Sequence, residues 1–151
     1  MKDIKHFLRQ NSLRPTKQRV IIANYLFDGV NKHVTAETLS NKLLKMKAGI
    51  SLATIYNTLH DFYEKGLLKK LMINSERIYF DTNTEHHHHF YSKKDQKLID
   101  INVDMKVSGL PKPPKNKKIN KIEVLVHLDN CLLYTSPSPR DREKSRMPSS
   151  A

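Results

Sequence analysis

Residues 16–81 combine three helix-start signals with a strand, turn and strand pattern. Thr16, Thr35 and Ser51 each precede an apolar pattern of helical period, where a hydroxyl can accept a hydrogen bond from the first helical turn. Residues 67–73 and 77–81 then read as two short strands around a polar turn. Three helices followed by a hairpin predict a winged helix, and the alternative is a small helical domain with an incidental hairpin.

After residue 82 the pattern changes to that of a small sheet. Residues 87–93, 97–102 and 119–128 have strand character, and prolines 111, 113 and 114 exclude a long helix between the second and third of these stretches. A small sheet with an exposed edge favours pairing with a second copy of the chain. The predicted fold class is therefore α+β, with an N-terminal winged helix-turn-helix followed by a small α/β dimerisation domain.

The chain is strongly basic and contains a single cysteine. Its 151 residues include 27 lysines and arginines against 15 acidic residues, which gives a formal net charge of +12 at pH 7. Such a balance suits DNA, because each neutralised phosphate releases a counterion. No apolar run approaches the roughly 20 residues of a membrane span, and no signal peptide is recognisable, so we expect a cytoplasmic protein. The lone Cys131 excludes an internal disulfide and a structural zinc site made of four cysteines.

The third predicted helix has a face suited to the major groove of DNA. Ala53 is small enough for the backbone to approach, Tyr56 can contact a thymine methyl group or a phosphate, and Asn57 can bond bidentately to adenine. Basic residues near the start of the first predicted helix could bind phosphate or enter a minor groove. For these basic residues the alternative is a solvated surface, and for Tyr56 it is burial against the hairpin. The predicted DNA-binding residues are Arg14, Lys17, Arg19, Ser51, Ala53, Thr54, Tyr56 and Asn57.

Four consecutive histidines follow the predicted hairpin. Alternate residues of an extended chain point to the same side, so the first and third imidazoles, and the second and fourth, can each converge on one ion. Neutral imidazole binds zinc, iron and copper ions and the iron of haem, and the alternative is a solvated polar linker. The predicted haem-binding residues are His86, His87, His88 and His89. The predicted metal-binding residues are His33, Asp81, His87 and His89.

These features divide the chain into three predicted parts. Residues 1–82 form the winged-helix DNA-binding domain, and residues 83–130 form the α/β dimerisation and ligand-sensing domain. Residues 131–151 are rich in serine, proline and arginine and poor in residues that could pack in a core. We interpret them as a disordered tail whose composition would also suit a non-native extension.

Four motifs carry a resemblance to a known family. LRPTKQR, HVTAETL, SLATIYNTLHDFYEKGL and YFDTNTEHHHHF occur in this order between residues 13 and 90. Together they resemble the ferric uptake regulator (Fur) family and, within it, the iron response regulator (Irr) branch of alphaproteobacteria. The resemblance covers roughly residues 10–128. It implies a winged helix, a C-terminal dimerisation domain, and a homodimer that binds double-stranded operator DNA.

Departures from the wider family narrow the expectation. Tyr56 is followed by Asn57, where most ferric uptake regulators have arginine, and the histidine segment lacks their interleaved aspartate; both features resemble the Irr branch. The cysteine pairs that hold structural zinc in many members are absent. The cysteine-proline haem motif of some Irr proteins is also absent, so a haem response would depend on the histidine cluster.

Three functional hypotheses follow. The first is a regulator of iron and haem genes, a homodimer on a partly palindromic operator, released when haem binds the histidine cluster; the resemblance implies this direction of the response. The second is a repressor activated by a divalent ion, namely iron, manganese or zinc. The third, a metalloenzyme or metal-storage module, is disfavoured because no activated nucleophile or suitably spaced catalytic carboxylate is present. We therefore expect no enzymatic activity.

Overall fold

The computed structural model describes residues 3–131, and the chain divides into two compact units, Met1–His88 and His89–Ala151. No helix among the described residues is long and apolar enough to cross a membrane. Apart from its first residue, the predicted disordered tail lies outside the described residues. The predicted domain boundary at residue 82 falls one residue after the last strand of the first unit, and the segment 83–88 is grouped with that unit.

Four helices form most of the first unit. They are α1 (Ile4–Gln10), α2 (Lys17–Leu26), α3 (Ala36–Lys45) and α4 (Leu52–Glu64). The three predicted helix starts are confirmed, because Thr16, Thr35 and Ser51 each accept a hydrogen bond from a backbone N–H in the first turn of α2, α3 and α4. Helix α1, capped by the Asp3 side chain, was not predicted from the sequence.

A three-stranded antiparallel sheet completes this unit. It contains β1 (His33–Val34), β2 (Lys69–Asn74) and β3 (Arg77–Asp81) in the order β1-β3-β2. The hairpin of β2 and β3 is the predicted wing. Helix α4 packs through Ile55, Leu59 and Phe62, all fully buried, into one apolar core that also includes residues of α1, α2, α3 and β3. This packing leaves the opposite face of α4 exposed.

The second unit contains a small mixed sheet. Its strands are β4 (His88–Ser92), β5 (Lys97–Ile101) and β6 (Leu125–Leu128), in the order β5-β4-β6, and β4 and β6 are parallel. The third predicted strand, 119–128, is regular only over its last four residues. The register explains this, because β4 begins at His88 and His89 lies opposite Leu125, so residues before 124 have no residue of β4 beside them. Within residues 89–131 no helix is present, so the described part of this unit is strand and irregular chain.

Candidate metal centre and recognition helix

A buried carboxylate lies at the centre of the candidate metal site in the first unit. The strand register pairs His33 of β1 with Asp81 at the end of β3. The Asp81 side chain is fully buried, and its Oδ1 accepts a 2.8 Å hydrogen bond from the backbone N–H of Asn83. Its Oδ2 lies 3.2 Å from Nε2 of His33 and 2.9 Å from Nε2 of His87. A carboxylate removed from water requires such partners, because burial of an isolated charge is unfavourable.

Two further hydrogen bonds hold His33 in register. The Lys32 backbone N–H donates to Oγ1 of Thr82 at 2.8 Å, and the Thr82 N–H donates to the Lys32 carbonyl at 3.0 Å. They join the chain just before β1 to the chain just after β3. The position of His33 beside Asp81 is therefore set by backbone pairing rather than by its side chain alone.

The backbone also orients the His87 ring. Its Nδ1 lies 2.7 Å from the carbonyl oxygen of Glu85, and since a carbonyl only accepts, Nδ1 is the nitrogen that donates. In neutral imidazole the other nitrogen, Nε2, then directs its lone pair toward Asp81. A cation between this lone pair and the carboxylate would be attracted to both. In addition, a histidine that binds a metal through one ring nitrogen usually donates its other N–H to a group such as a backbone carbonyl.

The donor set fits a divalent metal ion. The ligand atoms of His33, Asp81 and His87 lie within 4.8 Å of one another, and they combine two imidazoles with one carboxylate. Such nitrogen and oxygen donors suit iron, manganese or zinc. Three of the four predicted metal ligands are thus close together in one unit, and these three residues would hold the ion.

In the second unit the fourth predicted ligand, His89, has an acidic partner. The His89 side chain on β4 is almost fully buried, and its Nε2 lies 3.3 Å from Oδ1 of Asp100 on β5. Asp100 was not predicted from the sequence. The sequence does suggest such a contact, because Asp100 lies between Ile99 and Ile101. An acidic residue that is buried among apolar residues ordinarily requires a partner.

The predicted haem residues do not form a single group. His87 contacts Asp81 and His89 contacts Asp100, as described above. The rings of His86 and His88 instead pack edge to face with their centroids 5.2 Å apart, and His86 is exposed. The four histidines are consequently divided among three sets of contacts: His87 with Asp81, His89 with Asp100, and His86 with His88.

Helix α4 presents the predicted recognition face to solvent. Ala53, Tyr56 and Asn57 are exposed, with Tyr56 at 41%, so the ring is not buried against the hairpin. Ser51 and Thr54 have a structural role at the start of the helix. The Ser51 hydroxyl accepts from the Thr54 N–H at 3.2 Å and donates to the Thr54 hydroxyl at 2.9 Å.

The basic residues near α2 differ in their surroundings. Arg14 and Lys17 are exposed. Arg19 forms an ion pair through Nη2 with Asp61 of α4, and its Nη1 donates to the Arg14 carbonyl at 3.3 Å. Arg19 therefore links the chain before α2 to α4, while Arg14 and Lys17 are more accessible to solvent.

Comparison with known proteins identifies relatives of this chain. The model of the ferric uptake regulator family matches residues 10–127. The peroxide-responsive repressor PerR of Staphylococcus epidermidis is 36% identical over 94 residues, which are 62% of this chain and 62% of that protein. The chain thus spans less than two thirds of the length of this curated relative.

Two solved structures share the fold. The ferric uptake regulator of Vibrio cholerae superimposes with a TM-score of 0.67 at 20% identity, covering 85% of this chain and 100% of that one. The ferric uptake regulator of Pseudomonas aeruginosa, solved with manganese, gives a TM-score of 0.61 at 17% identity, covering 85% and 98%. The predicted α+β fold, a winged helix-turn-helix followed by a small domain of the dimerisation type, is confirmed.

The family match decides the class of protein. Members of this family are transcription regulators and not enzymes. The family match therefore agrees with the expectation that the chain has no enzymatic activity. The Irr branch stays a prediction. Because the family model covers most of its length, the chain belongs to the ferric uptake regulator family.

Proposed function

We propose that this chain is a DNA-binding transcription repressor whose affinity for its operator depends on a divalent metal ion, namely iron, manganese or zinc. The observation that carries the proposal is the approach of His33 and His87 to one oxygen of the buried Asp81, in a unit whose helix α4 has an exposed face. The relative from S. epidermidis is itself named as a repressor, which supports this direction of regulation.

DNA recognition is assigned to the exposed face of α4. Asn57 would read a base edge, Tyr56 would contact a methyl group or phosphate, and Arg14 and Lys17 would bind the backbone. Arg19, engaged with Asp61, would act by positioning α4. We propose a homodimer on a partly palindromic operator, in which two α4 helices enter successive major grooves about 34 Å apart.

Metal binding would act on the segment that leaves the first unit. His33 on β1 lies three residues before the start of α3, Asp81 ends β3, and His87 follows six residues later. An ion held by all three would tie the segment 82–87 to the sheet of the first unit. Since this segment continues into the proposed dimerisation unit, its order would limit how two recognition helices can be spaced. A coupling of about 1–3 kcal/mol is enough to change operator affinity 5- to 150-fold.

His89 belongs to the second unit, and its role as a fourth ligand stays a prediction from the sequence. It follows His87 by two residues, and side chains two positions apart in an extended chain point the same way. Within the second unit Asp100 lies 3.3 Å from the His89 ring and would fix its orientation.

The test is selection of operators from a random duplex library, followed by binding measurements with Mn²⁺, Fe²⁺, Zn²⁺ or a chelator. We expect the metal to tighten binding of the wild-type chain, and the His87→Ala variant to lose that dependence. His6→Ala is the matched control, because His6 is an exposed histidine of the same unit outside the site. Equal affinity with metal and with chelator would contradict the proposal.

The relative is named as peroxide-responsive, so operator binding is also measured after peroxide is added. We expect peroxide to release protein loaded with iron, which is redox-active, but not protein loaded with zinc.

Haem is a second candidate effector, which would place the chain in the Irr branch. The pairing of the exposed His86 with His88 favours it, because these two imidazoles are not members of the His and Asp group described above. Haem titration followed by absorbance distinguishes the two effectors. A haem signal lost in the His86→Ala/His88→Ala variant, with metal dependence retained, would support haem at this pair. Absence of haem binding by the wild-type chain would remove this candidate.

A further inference from the structure

A lysine-rich segment of the second unit has no role in the function proposed above. Residues 105–122 contain no aspartate or glutamate and six lysines, Lys106, Lys112, Lys115, Lys117, Lys118 and Lys121. Every residue from 106 to 121 is exposed. A segment with one sign of charge over this length creates a local positive potential in addition to the overall basic charge of the chain.

The middle of this segment is a defined turn. The Lys117 N–H donates to the Pro114 carbonyl at 3.0 Å, and Asn116 has a φ of 61°. This bond and the positive φ at the third residue are features of a β-turn that asparagine tolerates well. Prolines at 111, 113 and 114 restrict the preceding backbone. We call residues 112–118 the lysine turn; its partly fixed backbone reduces the conformational entropy that binding would cost.

The charges of the lysine turn are not neutralised within the described chain. Lys121, just beyond it, pairs with Glu123 at 2.7 Å. Its four lysines, at 112, 115, 117 and 118, form no ion pair with any residue from 3 to 131. The β4–β5 connection of the same unit differs in composition, because it contains the acidic residue Asp95 after Lys93 and Lys94.

The composition of the lysine turn restricts the kind of partner. It consists of proline, lysine and asparagine alone, with no aromatic side chain to stack on unpaired bases and no large apolar side chain to enter a membrane. Lysine ammonium groups are compact point charges that bind phosphate without a directional requirement. A regular phosphate backbone, that of duplex DNA, is the partner that this chemistry fits best.

We propose that the lysine turn is a second DNA-contacting surface, which binds backbone phosphates without reading sequence. This inference rests on the proposed function, because DNA held by α4 raises the local concentration of phosphate around the rest of the same chain. It adds a salt-dependent contribution that α4 and its flanking residues do not supply.

The experiment measures the salt dependence of binding by the full chain to a duplex of random sequence. The triple variant K115S/K117S/K118S is compared with wild type and with K93S/K94S/K97S, which removes the same charge from the β4–β5 connection and the first residue of β5. Each phosphate contact contributes about 0.9 to the slope of log Kobs against log salt, so the slope should fall by up to about 2.7 in the first variant. The control should lose less than one contact, and K115R/K117R/K118R should restore the wild-type slope. Circular dichroism checks that all variants are folded.

Several results would overturn the inference. An unchanged slope in K115S/K117S/K118S, with metal-dependent operator binding intact, would refute DNA binding by the lysine turn. That result would not contradict the proposed function. Equal losses in both serine variants would show an effect of net charge without a local surface. Retention of wild type on phosphatidylserine vesicles, lost in the variant while its DNA slope is unchanged, would identify a membrane as the partner instead. Failure of wild type to bind any duplex would refute both proposals.

Discussion

Nε2 of His87 lies 2.9 Å from Oδ2 of Asp81, the same oxygen that Nε2 of His33 approaches at 3.2 Å. The three residues come from the segment after β3, from the end of β3 and from β1, so one carboxylate oxygen connects three parts of the first unit. The hydrogen bond from Nδ1 of His87 to the Glu85 carbonyl fixes which nitrogen faces this oxygen. This arrangement supports the proposed metal site.

Replacing the carboxylate should remove most of the metal affinity. In Asp81→Asn the amide oxygen can still accept from the Asn83 N–H, so the fold should persist, but the negative charge between the two imidazoles is lost. We expect metal affinity to fall at least ~100-fold, since loss of a second-shell partner alone costs 10–100-fold. Competition with a fluorescent chelator measures this. Asp28→Asn, an exposed carboxylate paired with Lys32, is the control and should bind metal as wild type does.

Removal of the metal should lower the stability of the wild-type chain. A ligand that binds only the folded state at 100 times its Kd adds about 2.7 kcal/mol to the free energy of unfolding. Urea unfolding with saturating Mn²⁺ and with chelator measures the difference. Asp81→Asn should show almost none of it, and an equal metal effect in that variant would place the ion elsewhere.

Much of the first unit follows from local sequence signals. The starts of α2, α3 and α4 are predictable from Thr16, Thr35 and Ser51. A hydroxyl at the N-cap position accepts a hydrogen bond from an N–H group that the helix leaves unpaired. Helix α1 was not predicted because its seven residues span too few turns to show a clear helical period of apolar residues.

The candidate site was only partly visible in the sequence. The run of histidines and its alternation indicated His87 and His89 as a pair, but which side chains they meet depends on strand pairing. Asp100 was missed because it reaches His89 only through the adjacency of β4 and β5, a long-range relationship. The strand predicted over residues 119–128 was too long for the same reason: only Leu125–Leu128 form β6, since alternation alone does not supply a partner strand.

Base reading by α4 should be separable from backbone binding. Asn57→Ala should weaken operator binding by about 1–3 kcal/mol and leave binding to random duplex unchanged, because only the operator complex uses the amide. Fluorescence anisotropy on both duplexes measures the difference. Glu64→Ala, at the exposed end of the same helix, serves as the control. Equal losses on operator and random DNA would mean that Asn57 does not read a base.

The ion pair of Arg19 and Asp61 should matter more for orientation than for stability. Both side chains are partly exposed, so a double-mutant cycle with alanine should give a coupling energy of only about 0.2–1 kcal/mol in urea unfolding. If the pair positions α4, each single variant should nevertheless weaken operator binding by a similar factor, and the double variant should weaken it no further. Additive losses in operator binding would argue against a shared positioning role.

The most direct measurement is the operator affinity of wild type and Asp81→Asn, each titrated with Mn²⁺ from a chelated start. We expect the operator affinity of wild type to rise at least several-fold as the metal is added, while Asp81→Asn stays at the affinity of the chelated protein. A wild-type affinity that does not change with metal, or a metal response of equal size in Asp81→Asn, would contradict metal control through Asp81.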